Sequence, residues 1–307
     1  MSDLTRKKMR AARMSVATAT TLAATKLVVG VLTGSMAVIS SAIDSLLDIV
    51  MSSVNFFAIR SAEKPADECH PFGHGKYETV ATLIQAFVIT LSGAGIIFES
   101  VRRLIQGSTL QRLEGGIVVL IISTAASYAI SRYLSRIARE TDSSALEADS
   151  LHFSMDIYTN LALALGLVLV QFVQVTWLDP ALSIAVGLYI LFEAMRLVRH
   201  GMRDVLDAEL PPGIREDVRD MIEAHRKDLV DYRNLRTRRA GSQKFMDLEM
   251  IVCRHLSVEE AHDIADTLEE QIKSNIIGAD ITIHIEPCRK TDCPGQANCA
   301  NEKTRLS

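Results

Sequence analysis

Four stretches of this chain approach or reach the length of a membrane-crossing helix without a charged side chain: 27–43, 80–98, 115–131 and 157–178. A helix needs about 20 mostly apolar residues to cross the hydrocarbon of a bilayer. The first stretch contains Thr33-Gly34-Ser35, a turn signal, which divides it between two helices. The pattern predicts six spans, at about 14–33, 36–59, 80–101, 113–134, 144–172 and 177–199. The second carries Asp44 and Asp48, the sixth Glu193 and Arg196. A soluble all-helical core would have to bury every one of these runs, and their repetition at membrane length argues against it. The basic and then apolar N-terminus is not read as a cleaved signal peptide, because Lys26 interrupts it and another helix follows at once.

Charge confirms the division. Lysine plus arginine number 33 and aspartate plus glutamate 37, a net charge of −4, which excludes a nucleic-acid binder working through bulk positive charge. A mean hydropathy of +0.18 and a charged fraction of 23% exclude a disordered chain. Charges are scarce from Met14 to Leu197 and dense after Arg199. Lysines and arginines gather at the N-terminus (Arg6, Lys7, Lys8), after span two (Arg60, Lys64, Lys76), after span four (Arg132, Arg136, Arg139) and after span six (Arg199, Arg203). The loops around Gly34 and Trp177 have none, and only Arg102, Arg103 and Arg112 break the pattern. Both termini are therefore expected in the cytoplasm.

Past Pro211-Pro212 the periodicity changes. Residues 214–225 and 258–272 repeat apolar positions at helical spacing, while 234–238, 245–253 and 280–285 read as strands. The order α-β-β-α-β predicts a small α+β domain at 207–287, after a six-helix, all-α membrane domain at 1–206 and before a tail at 288–307. A domain this small buries little area and gains from oligomerisation.

Asp44 and Asp48 lie four apart on one face of helix two, and His152 and Asp156 four apart on helix five. An aspartate at the centre of a span costs about 2.5–3.5 kcal/mol, so three left unpaired would cost about 8–10 kcal/mol. Lys26 alone does not neutralise three carboxylates; a divalent cation does. Three carboxylates and one imidazole suit tetrahedral Zn²⁺, with Cd²⁺ and Fe²⁺ as alternatives, and suit Mg²⁺ poorly. Between spans two and three, Asp67, His70 and His74 are either a second metal site or members of a solvated loop, with Cys69 a further ligand or a plain thiol. His284 and Glu286 share a strand face near His262 and are either ligands or solvated surface groups. Cys288, Cys293 and Cys299 in the tail match no zinc-finger spacing. With Cys69 and Cys253 the cysteines total five, an odd number that argues against a disulfide framework.

Four segments, AIDSLLDIV (42–50), PADECHPFGHGKYE (65–78), LEADSLHFSMDIYTN (146–160) and LRTRRAGSQKF (235–245), together resemble the cation diffusion facilitator family, and within it the bacterial zinc and ferrous-iron efflux transporters. The resemblance runs from about residue 10 to 287. It implies a homodimer in the bacterial inner membrane, with six helices per protomer and a cytoplasmic ferredoxin-like domain. It implies a transport site at Asp44, Asp48, His152 and Asp156, a loop site at Asp67, His70 and His74, and a cytoplasmic site that includes His262, His284 and Glu286. Arg233 and Glu249 stand where well-known members carry histidine, a departure that points to one metal or an altered site there. Lys76 and Asp207 match an interprotomer salt bridge. The function implied is proton-coupled export of divalent transition metals, Zn²⁺ first, with no organic cofactor. The competing classes are a membrane metalloenzyme, which would need an open coordination position and a general base, and a membrane-anchored metal sensor or store, in which buried aspartates have no purpose.

Overall fold

The computed structural model describes residues 3–33, 36–106, 117–173, 177–225 and 228–289. Gly34, Ser35, Arg112, the expected start of the fourth span, and the tail with Cys293 and Cys299 lie outside the described residues. The chain divides into two compact units, Met1–Arg203 and Asp204–Ser307.

The first unit is built from α1 (Asp3–Thr33), α2 (Met36–Ala62), α3 (Lys76–Gln106), α4 (Ile117–Thr141), α5 (Ser144–Val173) and α6 (Leu178–Val205). Several helices outrun their apolar stretches. α1 starts within the basic N-terminal segment, and α3 starts at Lys76, where the loop after α2 ends. Among the described residues, three helices are long and apolar enough to cross a membrane, at Asp3–Leu32, Lys76–Gln106 and Pro180–Val205.

Hydroxyl side chains within the helices satisfy themselves locally. Thr20, Thr21 and Thr25 donate to carbonyls one turn back at 2.7–2.8 Å, which lets them sit in an apolar medium. α5 lies between two apolar clusters. Leu146 and Phe153 pack with Ala12 of α1, Ile59 of α2 and Leu134 of α4. Ala148 and Met155 pack with Ile89 of α3 and Ile190 of α6. Its polar residues meet α2 through Asp149 and His152 and α4 through Ser150 and Ser154. Large apolar side chains point outward, with Leu32 80% and Phe98 73% exposed, as a lipid-facing surface requires.

α3 and α6 meet through glycine. A Cβ at Gly187 would fall 2.6 Å from Ile97, one at Gly201 2.7 Å from Leu83, and one at Gly93 2.9 Å from Ile190. Small residues at such crossings let backbones approach closely.

The second unit is α7 (Pro212–Ala224), β1 (Asp231–Ala240), β2 (Gln243–Val252), α8 (Val258–Asn275) and β3 (Ala279–Pro287). This is the α-β-β-α-β order expected from the periodicity. The sheet order is β1-β2-β3, with β1 antiparallel to β2 and β2 parallel to β3. A parallel pair needs a crossover connection, and α8 supplies it. Pro212 opens α7, and a Ser257–Glu260 capping box opens α8. Alternate residues Met246, Leu248 and Met250 of β2 join Ile281 of β3 and Leu268 and Ile272 of α8 in the core. The odd-numbered β2 residues and their partners occupy the opposite face of the sheet.

Candidate metal centres

The two i,i+4 pairs on α2 and α5 are brought face to face. His152 Nε2 lies 2.9 Å from Asp48 Oδ1, linking the helices, and both side chains are largely buried. The charges of Asp48, His152, Lys26 and Asp44 all act on the Asp156 carboxyl, which places the fourth residue in the same electrostatic neighbourhood. Asp44 is exposed on the protomer, while Asp156 is half-buried. Lys26 Nζ donates to Ser45 Oγ at 2.8 Å rather than pairing with an aspartate. The site is thus a closed His152–Asp48 pair flanked by two further carboxyls.

Toward the C-terminal end of α2 the polar stripe continues through residues not singled out from the sequence. Ser15 donates to Ser52 at 2.9 Å, Ser52 to Asp149 at 3.5 Å, and Asn55 Nδ2 to Gln85 Oε1. Asp149 is fully buried. Its Oδ2, Asn55 Oδ1 and Gln85 Nε2 have no hydrogen-bond partner among the described residues. The signal was present: Asp44, Asp48, Ser52 and Asn55 follow helical spacing down α2, and Asp149 precedes His152 by one turn.

Between α2 and α3, Asp67, His70 and His74 place their ligand atoms within 4.8 Å of one another, the group of this kind found among the described residues. Asp67 Oδ1 lies 3.2 Å from His70 Nδ1, Asp67 Oδ2 lies 3.3 Å from His74 Nε2, and the two imidazole centroids are 4.4 Å apart. Gly73, at φ +77°, makes the left-handed turn that folds His74 back. His74 Nδ1 is 3.2 Å from the Pro65 carbonyl, which only accepts, so that nitrogen donates to it and Nε2 is the ring atom that faces Asp67. The His70 and Cys69 backbone N–H groups donate to Asp67 Oδ1 at 2.7 and 3.0 Å. The exposed Cys69 is not a member of the group.

The His70 N–H, with the neighbouring imidazoles, holds the Asp67 carboxyl below its ordinary range. A depressed carboxyl contributes order that is present above its unfolded value and lost as pH falls through the folded one. The Cys69 and His70 amide NMR shifts are therefore expected to titrate with a midpoint below that of a free aspartate. A midpoint at or above that value overturns the assignment.

The three residues expected at a cytoplasmic-domain site are not drawn together within one protomer. His262 lies on α8, which packs on the core face of the sheet, and its Nε2 is 3.5 Å from Asp266 of its own helix. His284 and Glu286 lie on the opposite face, and Glu286 pairs with Arg289 at 3.9 Å. Arg233, Glu249 and His284 stand in register across the three strands, so the two departures from histidine put opposite charges side by side. Asp207 pairs within its own unit with Arg238 at 3.8 Å, and Lys76 opens α3 in the other unit. Cys288 is buried, and its amide donates to the Val252 carbonyl at 2.8 Å.

Comparison with known proteins covers both units. Residues 12–206 match the family model described as the cation efflux transmembrane domain, and residues 210–288 the one described as the cytoplasmic domain of cation efflux proteins. The cation-efflux pump FieF of Shewanella oneidensis is 34% identical over 277 residues, covering 90% of this chain and 93% of that protein. The FieF pump of Klebsiella pneumoniae is 32% identical over 280 residues, covering 91% of this chain and 92% of its own. A solved chain of a candidate zinc transporter, CzrB, in its Zn form, is 35% identical. It covers 26% of this chain and 90% of its own with a TM-score of 0.25, too low to compare folds.

Proposed function

Because the chain belongs to the cation diffusion facilitator family, the membrane cation-efflux proteins, which are transporters and not enzymes, we propose that it exports divalent transition-metal ions from the cytoplasm in exchange for protons. The observation that carries this reading is the 2.9 Å contact between His152 and Asp48, which joins two helices through ionisable groups where apolar residues surround them. With Asp44 and Asp156 these groups offer three carboxylates and one imidazole, a donor set that favours Zn²⁺, with Cd²⁺ and Fe²⁺ as further cargo.

In the cytosol-facing state the ion sheds water and binds the deprotonated carboxylates and neutral imidazole. After the helices rearrange, protons from the other side compete for the same atoms and release it. The exchange follows from the chemistry, since one set of groups cannot hold the metal and the protons together. The wider proposal is a homodimer in a bacterial inner membrane, with six spans per protomer and both termini in the cytoplasm. Its second unit is a cytoplasmic ferredoxin-like domain, and Lys76 and Asp207 link the protomers. The size of that domain and its match to the family's cytoplasmic domain support this assembly.

Purified protein in liposomes with a pH gradient is expected to accumulate Zn²⁺ until a protonophore collapses the gradient. Zinc accumulation that is the same with and without the gradient, or none at all, rejects the exchange. Running Cd²⁺, Fe²⁺ and Mn²⁺ alongside ranks the cargo.

A further inference from the structure

The loop carrying Asp67, His70 and His74 is held at both ends by one side chain from a third helix. Lys8 of α1 is almost wholly buried. Its Nζ lies 2.5 Å from Oε1 of Glu63, just past the end of α2, and 3.1 Å from Oε1 of Glu78, in the first turn of α3. The second oxygen of each carboxylate is also used. Glu63 Oε2 accepts from Thr5 Oγ at 2.6 Å, and Glu78 Oε2 from Ser143 Oγ, at the α4–α5 junction, at 2.7 Å. From Glu78 the chain returns through backbone hydrogen bonds, Tyr77 N–H to His74 O and Glu78 N–H to Gly75 O, to the metal-facing residues themselves.

Two carboxylates brought together away from water repel one another, and an ammonium between them sets their separation. That separation is the span of the loop. Fixing a loop's ends removes part of the entropy lost when its side chains converge on a ligand.

We propose that Lys8 is a positioning residue for a divalent-cation site at Asp67, His70 and His74: it touches no ligand atom, yet sets the affinity of the site by clamping the base of its loop. The inference rests on the reading of that trio as a metal site. Because the same lysine belongs to α1, the clamp also ties the loop to the helix that packs against α2 and α4.

The test uses full-length protein carrying Asp48→Ala, so that the membrane site does not contribute, titrated with Co²⁺ and followed by its visible absorption. Adding His70→Ala and His74→Ala together defines the loop signal; if they leave the titration unchanged, the metal-site reading fails before Lys8 is tested. Given that signal, Lys8→Met is expected to weaken Co²⁺ binding by about 10–100-fold, the range for residues that support ligands without being ligands. Lys8→Arg should recover most of the loss. Lys7→Ala, which removes only a partly exposed pair with Glu140, should change nothing. Loop binding by Lys8→Met equal to the parent, while the histidine variants abolish it, overturns the clamp and leaves the site standing. If Lys8→Met does not fold, Thr5→Val and Ser143→Ala each remove one hydrogen bond from the same cluster. Each should weaken binding several-fold, and unchanged affinity in both overturns the proposal equally.

Discussion

Asp48→Ala is expected to lower gradient-driven Zn²⁺ uptake by about 100-fold or more. Asp48 is the residue that reaches from α2 to His152 on α5, so its loss removes a proposed ligand and strands a largely buried imidazole in one step. Substitutions one shell further out at metal sites cost about 10–100-fold, and a direct ligand belongs at or beyond the top of that range. Asp48→Asn keeps the shape and removes the charge, and it should fall nearly as far if charge compensation by the cargo is what binds. The measurement is initial uptake into liposomes containing a zinc-sensitive dye, with reconstituted amounts matched. Uptake within a few-fold of the parent would take Asp48 out of the path of the ion.

The largest effect on stability is expected in the other unit. Leu268 of α8 is fully buried, and all its packing partners in that core belong to the same unit. Leu268→Ala leaves a cavity and costs about 2–5 kcal/mol. For a domain of this size each kcal/mol moves the melting temperature by about 4–8 °C, so the cytoplasmic transition should drop by about 8–40 °C. Calorimetry or hydrogen exchange on the full chain reads it, and protection within residues 1–203 should stay as it was. A shift of only a degree or two means the core relaxes around the gap.

Much of this architecture is legible in the residues alone, and the exceptions have physical causes. Element order in the cytoplasmic unit follows from period-2 and period-3.6 patterns, because each element has one buried face. β1 starts earlier than expected, at Asp231, since Asn234, at φ +51°, forms a bulge that lets pairing resume rather than begin there. Asp48 and His152 stand out because an ionisable group among apolar neighbours is costly unless it has a partner. The Lys8–Glu63–Glu78 cluster does not stand out, because charged residues at helix ends in a polar stretch read as solvated. Only the fold reveals that three elements bury them together. The arrangement of His262, His284 and Glu286 is not legible for the opposite reason: pattern along the chain does not fix which side of a sheet a helix covers, and within one protomer α8 covers the side away from His284.

The glycine crossings carry a consequence for movement. Gly187 and Gly201 are two heptads apart on α6, and so are the Ile97 and Leu83 that seat against them on α3. Sliding one rod along the other by a single turn would lift both branched side chains out of their notches onto neighbouring bulk. On the proposed transport reading, α3 and α6 are therefore expected to move as a pair, with the rearrangement around the aspartates falling to the remaining helices.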